Sequence, residues 1–206
     1  MTASELLHDD DIFRLILILG FVAVMPIGLY HRLKSQASGE KLDRRQEGRF
    51  ILSTLRPIAT MRIIGVVTYV INPAWMAWSS IGLPDWMRWL GVGVGVIAAT
   101  LLIIVFRTLG TNLTDTVVTR ANHTLVTTGP YRYVRHPFYV ASGLALTADS
   151  LVTDNAFLAL IGLAVLGLIL LRTGIEEQKL IERFGDEYQH YMSRTGRFVQ
   201  RFRRSH

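Results

Sequence analysis

Two stretches of this 206-residue chain concentrate the residue types that do chemistry: 109–139 and 172–198. In the second, Arg172 is followed four residues later by Glu176 and Glu177. Residues four apart on a helix share a face, so the Arg172 guanidinium and the Glu176 carboxylate can serve one site. On a soluble helix this would be a surface ion pair worth about 0.3–0.5 kcal/mol. Here it directly follows residues 155–171, which carry no charge, and ionisable groups at membrane depth usually line a cavity or a substrate route. In the first stretch, Arg135 and His136 precede Pro137. Proline suits the first position of a helix, and a helix N-terminus offers free backbone N–H groups to a carboxylate or other anion. Arg132 and Tyr133 fit simple anchoring in lipid head groups. His136, held between a cation and a proline, fits that role less well. No metal site is expected: the chain has no cysteine, and His123 and His136 lack a metal-ligand spacing.

The elements that must position these residues are membrane helices. Half of the chain is hydrophobic and only 18% is charged, against about a quarter in soluble domains. The apolar residues collect in the runs 12–30, 58–80, 89–106 and 155–171, and more weakly in 137–152. Runs of about 18 residues or more read as membrane helices. The 137–152 run is short and carries Asp149, and is expected to pair with 155–171 through a tight turn over 150–154. Arg14 and Arg62 lie near the ends of their runs. The first run is not a cleavable signal peptide, because Glu5, Asp9, Asp10 and Asp11 precede it.

Basic residues set the orientation. The segment before the first run has none, 31–57 has seven, 81–88 one, 107–136 four, 147–154 none, and the chain from 172 onward eight. This alternation predicts five spans, with the N-terminus outside, the C-terminus cytoplasmic, and an inner-membrane location in a bacterium. The expected fold is therefore all-α: one membrane domain over 1–206, a bundle of five transmembrane helices with a C-terminal amphipathic helix. Leu180, Ile181, Phe184, Tyr188, Tyr191 and Met192 recur at helical spacing beyond the last run, with Gly185 as a weak point. Pattern alone leaves open a lid over a site or a helix lying on the bilayer. The net charge of +6 is spread over membrane-flanking loops without interleaved stacking aromatics, which suits anionic lipid heads and not nucleic acid. Gly91, Gly93 and Gly95 match no nucleotide-binding loop; close helix packing through Gly91 and Gly95 is expected.

Three strings in the two polar stretches resemble the isoprenylcysteine carboxyl methyltransferase family, multispan membrane enzymes that use S-adenosylmethionine. They are H-T-L-V-T-T-G-P-Y at 123–131, R-H-P-F-Y at 135–139, and R-x₃-E-E-x₂-L-x₃-F-G-x₂-Y-x₂-Y at 172–191, with Thr195-Gly196 fitting a further T-G. The resemblance covers about 109–198, which would hold the cofactor and catalytic region. Residues 1–106 match only as membrane helices and a basic loop.

The resemblance implies roles. His123, Thr124, Leu125 and Val126 would line the adenosine part of the cofactor pocket, partly through backbone groups. Tyr131, His136, Pro137, Phe138 and Tyr139 would hold the remainder. Glu176 would bind the cofactor at its amino group, and Arg172 would face the methyl acceptor, making these two the expected catalytic pair. The physics agrees. A carboxylate acceptor is already ionised at neutral pH and needs no general base. It needs an orienting cation, and an arginine fork supplies one. The partners implied are the bilayer and a hydrophobic, lipid-like or prenylated substrate; the oligomeric state is not legible. Two alternatives stand beside this reading. One is methylation of another lipid, such as a phospholipid amine, for which Glu177 or His136 would serve as base, or an isoprenoid acid. The other is a non-catalytic transporter or assembly factor, which should carry its ionisable groups mid-span.

Overall fold

The computed structural model describes residues 3–36, 49–110 and 124–201. Among these the chain is helical, with no named strand and two isolated bridges. Six α-helices follow in order: α1 (Ala3–Gln36), α2 (Arg49–Ile71), α3 (Asp85–Leu109), α4 (Pro137–Val152), α5 (Ala156–Phe184) and α6 (Asp186–Arg194). Four of them, α1, α2, α3 and α5, are long and apolar enough to cross a membrane. Leu15, Leu19 and Val22 on α1, Ile63 and Ile64 on α2, Val96 and Ile97 on α3, and Leu160 and Leu163 on α5 all point outward. Water would penalise such a surface, whereas hydrocarbon matches it. Trp75, Trp78, Trp86 and Trp89 are exposed around the α2–α3 connection, where amphipathic rings suit a membrane interface. The chain is a multi-pass membrane protein.

Three expected boundaries need correction. The 58–80 run is not one helix: α2 ends at Ile71, and Pro73–Ser79 forms a 3₁₀ helix. Proline pushes the residue before it out of the helical region, and Asn72 is extended, its side chain accepting from the Ala74 N–H at 3.0 Å. The last run does not stop at 171, because α5 continues to Phe184. The Arg172 and Glu176 side chains therefore project from the middle of a continuous helix. Nor do residues 180–192 form one amphipathic helix. Gly185 has φ +53° and ψ −127°, a conformation closed to side chains larger than hydrogen, and it separates α5 from α6.

The α4 helix has 16 residues and runs antiparallel to α3. Phe106 meets Phe138 at one end, with ring centroids 6.0 Å apart. At the other end Gly91 is buried against α4, so close that a Cβ there would sit 2.7 Å from Leu151 Cβ and 3.1 Å from the Ala148 carbonyl oxygen. The α4 helix thus travels about 22 Å alongside α3.

The helix ends away from the polar stretches are tied by charge. Arg88 donates to Asp10 at 2.8 Å, to the Tyr69 hydroxyl at 3.2 Å and to the Val152 carbonyl, and its guanidinium lies 3.9 Å from the centre of the Phe13 ring. One side chain therefore joins α1, α2, α3 and α4. Arg62 is also structural. It lies mid-helix in α2 and not near a span end, as hydropathy alone suggests. There it is buried, paired with Asp149 at 2.6 Å and donating to the Leu158 carbonyl. A mid-bilayer arginine is tolerated only when satisfied in this way.

Candidate active site

At the opposite end of the bundle, α1, α3, α4, α5 and α6 enclose a cavity of about 670 Å³, within the range of small-molecule and cofactor sites. Its polar wall comes from the two stretches singled out in the sequence. From the first, Thr124, Leu125, Val126, Tyr131, Arg135, His136, Phe138 and Tyr139 line it; from the second, Arg172, Glu176, Leu180, Phe184, Tyr188 and Tyr191 do. The Tyr139 hydroxyl donates to Glu176 Oε2, joining α4 to α5 across the cavity wall. Arg172 and Glu176, one turn apart, face the same space. The His136 ring stacks on Tyr139 with centroids 5.4 Å apart and planes within 6°.

Behind this wall lies a charge knot. Glu177 is buried and accepts from Arg135 Nε at 2.9 Å, from His136 Nε2 at 3.2 Å and from Arg197. The knot fastens the segment after α6 across the turn before α4. The N–H groups of Arg135 and His136 donate to the carbonyls of Gly196 and Arg197 at 2.8 and 3.1 Å. Arg135 Nη1 reaches the carbonyls of Met192 and Thr195. The Tyr191 hydroxyl donates to the Tyr131 carbonyl at 2.5 Å. Burial pushes the Tyr191 phenol up to about 12, with Arg135 pulling the other way, so it remains a donor at neutral pH. Burial, reinforced by the Glu176 charge, likewise raises Tyr131 well above the usual phenol range.

The remaining wall is apolar. Phe21, Val24, Met25, Gly28 and Leu29 of α1 and Phe106 and Leu109 of α3 line it, with Arg32 at its edge. Of the site residues expected from sequence, the structure brings nine together around one cavity. Pro137 is buried and opens α4 without lining the cavity, since its place at the helix start turns it into the packing. His123 lies outside the described residues. Glu177, one of two expected candidate bases, is also absent from the lining, because its carboxylate is taken up by Arg135, His136 and Arg197. Sequence reasoning missed the α1 wall and Arg197. The first looks like any lipid-facing helix, and the second meets Glu177 only through the fold.

Residues 90–182 match the model of the isoprenylcysteine carboxyl methyltransferase (ICMT) family. This segment, 93 of the 206 residues, is similar to that family. The matched segment runs from α3 through Glu176 and Glu177 and so contains most of the polar wall. A solved structure, the eukaryotic intramembrane Ras methyltransferase ICMT without a monobody, shares the fold. It is 24% identical with a TM-score of 0.54, over 69% of this chain and 52% of that one. The chain thus matches about half the length of this solved family member. No curated protein matches it.

Proposed function

We propose that the protein is an S-adenosylmethionine-dependent membrane methyltransferase whose acceptor is the carboxylate of an isoprenylcysteine-like lipid. The observation that carries this reading is the shared cavity of Arg172 and Glu176, polar on its α4–α5–α6 side and apolar along α1. The donor set suits such a cofactor. One acid faces a space walled by Tyr131, Tyr139 and Phe138, and both carboxylates and aromatic faces favour a cationic group. Thr124, Leu125 and Val126 would line the adenosine end with His123, and Tyr131, His136, Phe138 and Tyr139 would hold the rest, with Pro137 setting their helix start. Glu176 would take the ammonium, its carboxylate oriented by the Tyr139 hydroxyl.

When bound, the cofactor supplies an electrophilic methyl group on a sulfonium. The residues contribute position and exclusion of water, the main levers in a displacement of this kind. Arg172 would hold the acceptor carboxylate in line, and the apolar α1 wall would receive its lipid tail. No proton needs to move. That favours a carboxylate over an amine acceptor, because Glu177 is already held by Arg135, His136 and Arg197 and the same contact occupies His136 Nε2. The charge distribution supports a cytoplasmic cofactor entrance with the N-terminus outside, α4 counted as a short fifth span.

The test is direct. Purified protein in micelles is expected to bind S-adenosylmethionine at equilibrium and to transfer its methyl group to a farnesylated N-acetylcysteine as an alkali-labile ester. Absence of cofactor binding defeats the reading. Alkali-stable methylation of a phospholipid amine would move it to a different acceptor.

A further inference from the structure

Gly28 stands in the apolar wall of the cavity, with Met25 and Leu29 near it on α1 and Phe106 facing it from α3. The room left by its missing side chain is not empty. A Cβ there would sit 3.0 Å from Phe106 Cε2 and 3.1 Å from Cζ of the same ring, inside the roughly 3.5–4.0 Å at which two carbons rest in contact. The ring therefore lies against the α1 backbone in the place a side chain would take. Gly20, on the same helix, meets nothing within 4 Å and does not line the cavity. Glycine weakens a helix interior relative to alanine, and of these two glycines only Gly28 gives its room to a neighbour.

The direction open to the ring decides the consequence. On one side stands Phe138, with ring centroids 6.0 Å apart, and Phe138 in turn meets Tyr139 at 5.8 Å. That side leads to Glu176, which the Tyr139 hydroxyl holds. The other side is the cavity, which Phe106 itself lines. A side chain at position 28 would thus push the Phe106 ring off α1 and into the cavity, at the apolar wall assigned above to the acceptor's tail. An isoprenoid chain carries methyl branches along its length and needs more width than a straight alkyl chain of equal reach. We propose that Gly28 is a specificity-determining position: by berthing the Phe106 ring against α1, it keeps the apolar half of the cavity wide enough for a branched isoprenoid tail. The proposal deepens the acceptor reading above and rests on it.

The experiment measures binding, not turnover, on the full-length protein in micelles. Dissociation constants are taken for S-adenosylmethionine and for S-farnesyl- and S-dodecyl-N-acetylcysteine, whose tails have equal chain length with and without branches. For Gly28→Val, farnesyl affinity is expected to fall about tenfold, with dodecyl and cofactor affinities within about threefold of wild type. Gly28→Ala, the milder change, should shift the farnesyl-to-dodecyl ratio the same way by about two- to threefold. Adding Phe106→Leu to Gly28→Val should return farnesyl affinity to within about threefold of wild type, because the smaller side chain leaves the cavity clear. Gly20→Val should leave the ratio unchanged. Unchanged farnesyl affinity, equal loss for both tails, a matching loss of cofactor affinity, or losses that add in the double variant overturn the assignment. Wild-type protein that binds S-adenosylmethionine but neither tail overturns the acceptor reading beneath it, an outcome seen before any variant is compared.

Discussion

The Tyr139 hydroxyl and Glu176 Oε2 meet in a direct hydrogen bond from α4 to α5. The contact fixes one oxygen of Glu176 and leaves the side chain facing the cavity. Tyr139→Phe removes the orienting donor and retains the ring that stacks on His136. Hydrogen bonds to charged groups are worth about 1.5–3 kcal/mol, so cofactor affinity should fall about tenfold or more. Glu176→Gln should weaken binding further, because it removes the charge itself. Isothermal titration with S-adenosylmethionine ranks the two. A Tyr139→Phe variant weaker than Glu176→Gln would mean that the tyrosine, not the acid, carries the contact.

Arg172 predicts a different kinetic pattern. Its proposed partner is the acceptor, so Arg172→Ala should lower turnover about a hundredfold while cofactor affinity stays within a few-fold. The acceptor carboxylate, with an ordinary pKa near 3.5–4, is ionised throughout the neutral range. Turnover of the wild type should therefore be flat from about pH 6 to 8.5. An amine acceptor would instead give a rate that climbs with pH as the amine loses its proton. Initial rates with labelled cofactor across that range distinguish the two.

Part of this site is legible in the sequence. The i, i+4 pair of Arg172 and Glu176 was readable, because helix geometry alone puts both on one face. The meeting of the R-H-P turn with that helix was readable only through charge alternation, which puts both polar stretches at one membrane surface. The α1 wall was not. In a soluble helix a buried face stands out against polar neighbours, but Phe21 and Met25 on the cavity side resemble Val22 on the lipid side. The end of α2 was written in Asn72-Pro73, yet the surrounding apolar run outweighed it. Arg197 carried no local signal, since its partner Glu177 lies 20 residues away.

The Glu177 knot predicts a stability phenotype, not a chemical one. Glu177→Ala leaves Arg135 and His136 buried without their common acceptor, and breaking a buried pair costs about 3–5 kcal/mol. Arg197→Met should cost less, about 1 kcal/mol or below, because that side chain is 45% exposed and solvent screens it. Both changes should loosen the segment after α6 and speed tryptic cleavage at Arg194 and Arg201. Melting in detergent, followed beside the cleavage rate, checks this. A Glu177→Gln protein of unchanged stability but abolished turnover would return Glu177 to the chemistry.

The glycines of α3 separate packing from mere helix composition. Gly91 is pressed against α4, where a Cβ would fall 2.7 Å from Leu151 Cβ and 3.1 Å from the Ala148 carbonyl oxygen, whereas at Gly93 a Cβ meets nothing within 4 Å. Overpacking of a close contact costs about 1–3 kcal/mol, and glycine within a helix costs about 0.5–1 kcal/mol relative to alanine. Gly91→Ala should therefore destabilise the protein and Gly93→Ala should leave it unchanged or raise its melting temperature. The effect at Gly91 should also reach the distant cavity: α4 carries His136 and Tyr139 at its other end, and a displacement of α4 along α3 would move both away from α5. Cofactor affinity of Gly91→Ala should accordingly fall even at temperatures where the protein remains folded, while that of Gly93→Ala stays at the wild-type value. Equal behaviour of the two variants would mean that the α3–α4 contact does not set the position of the site.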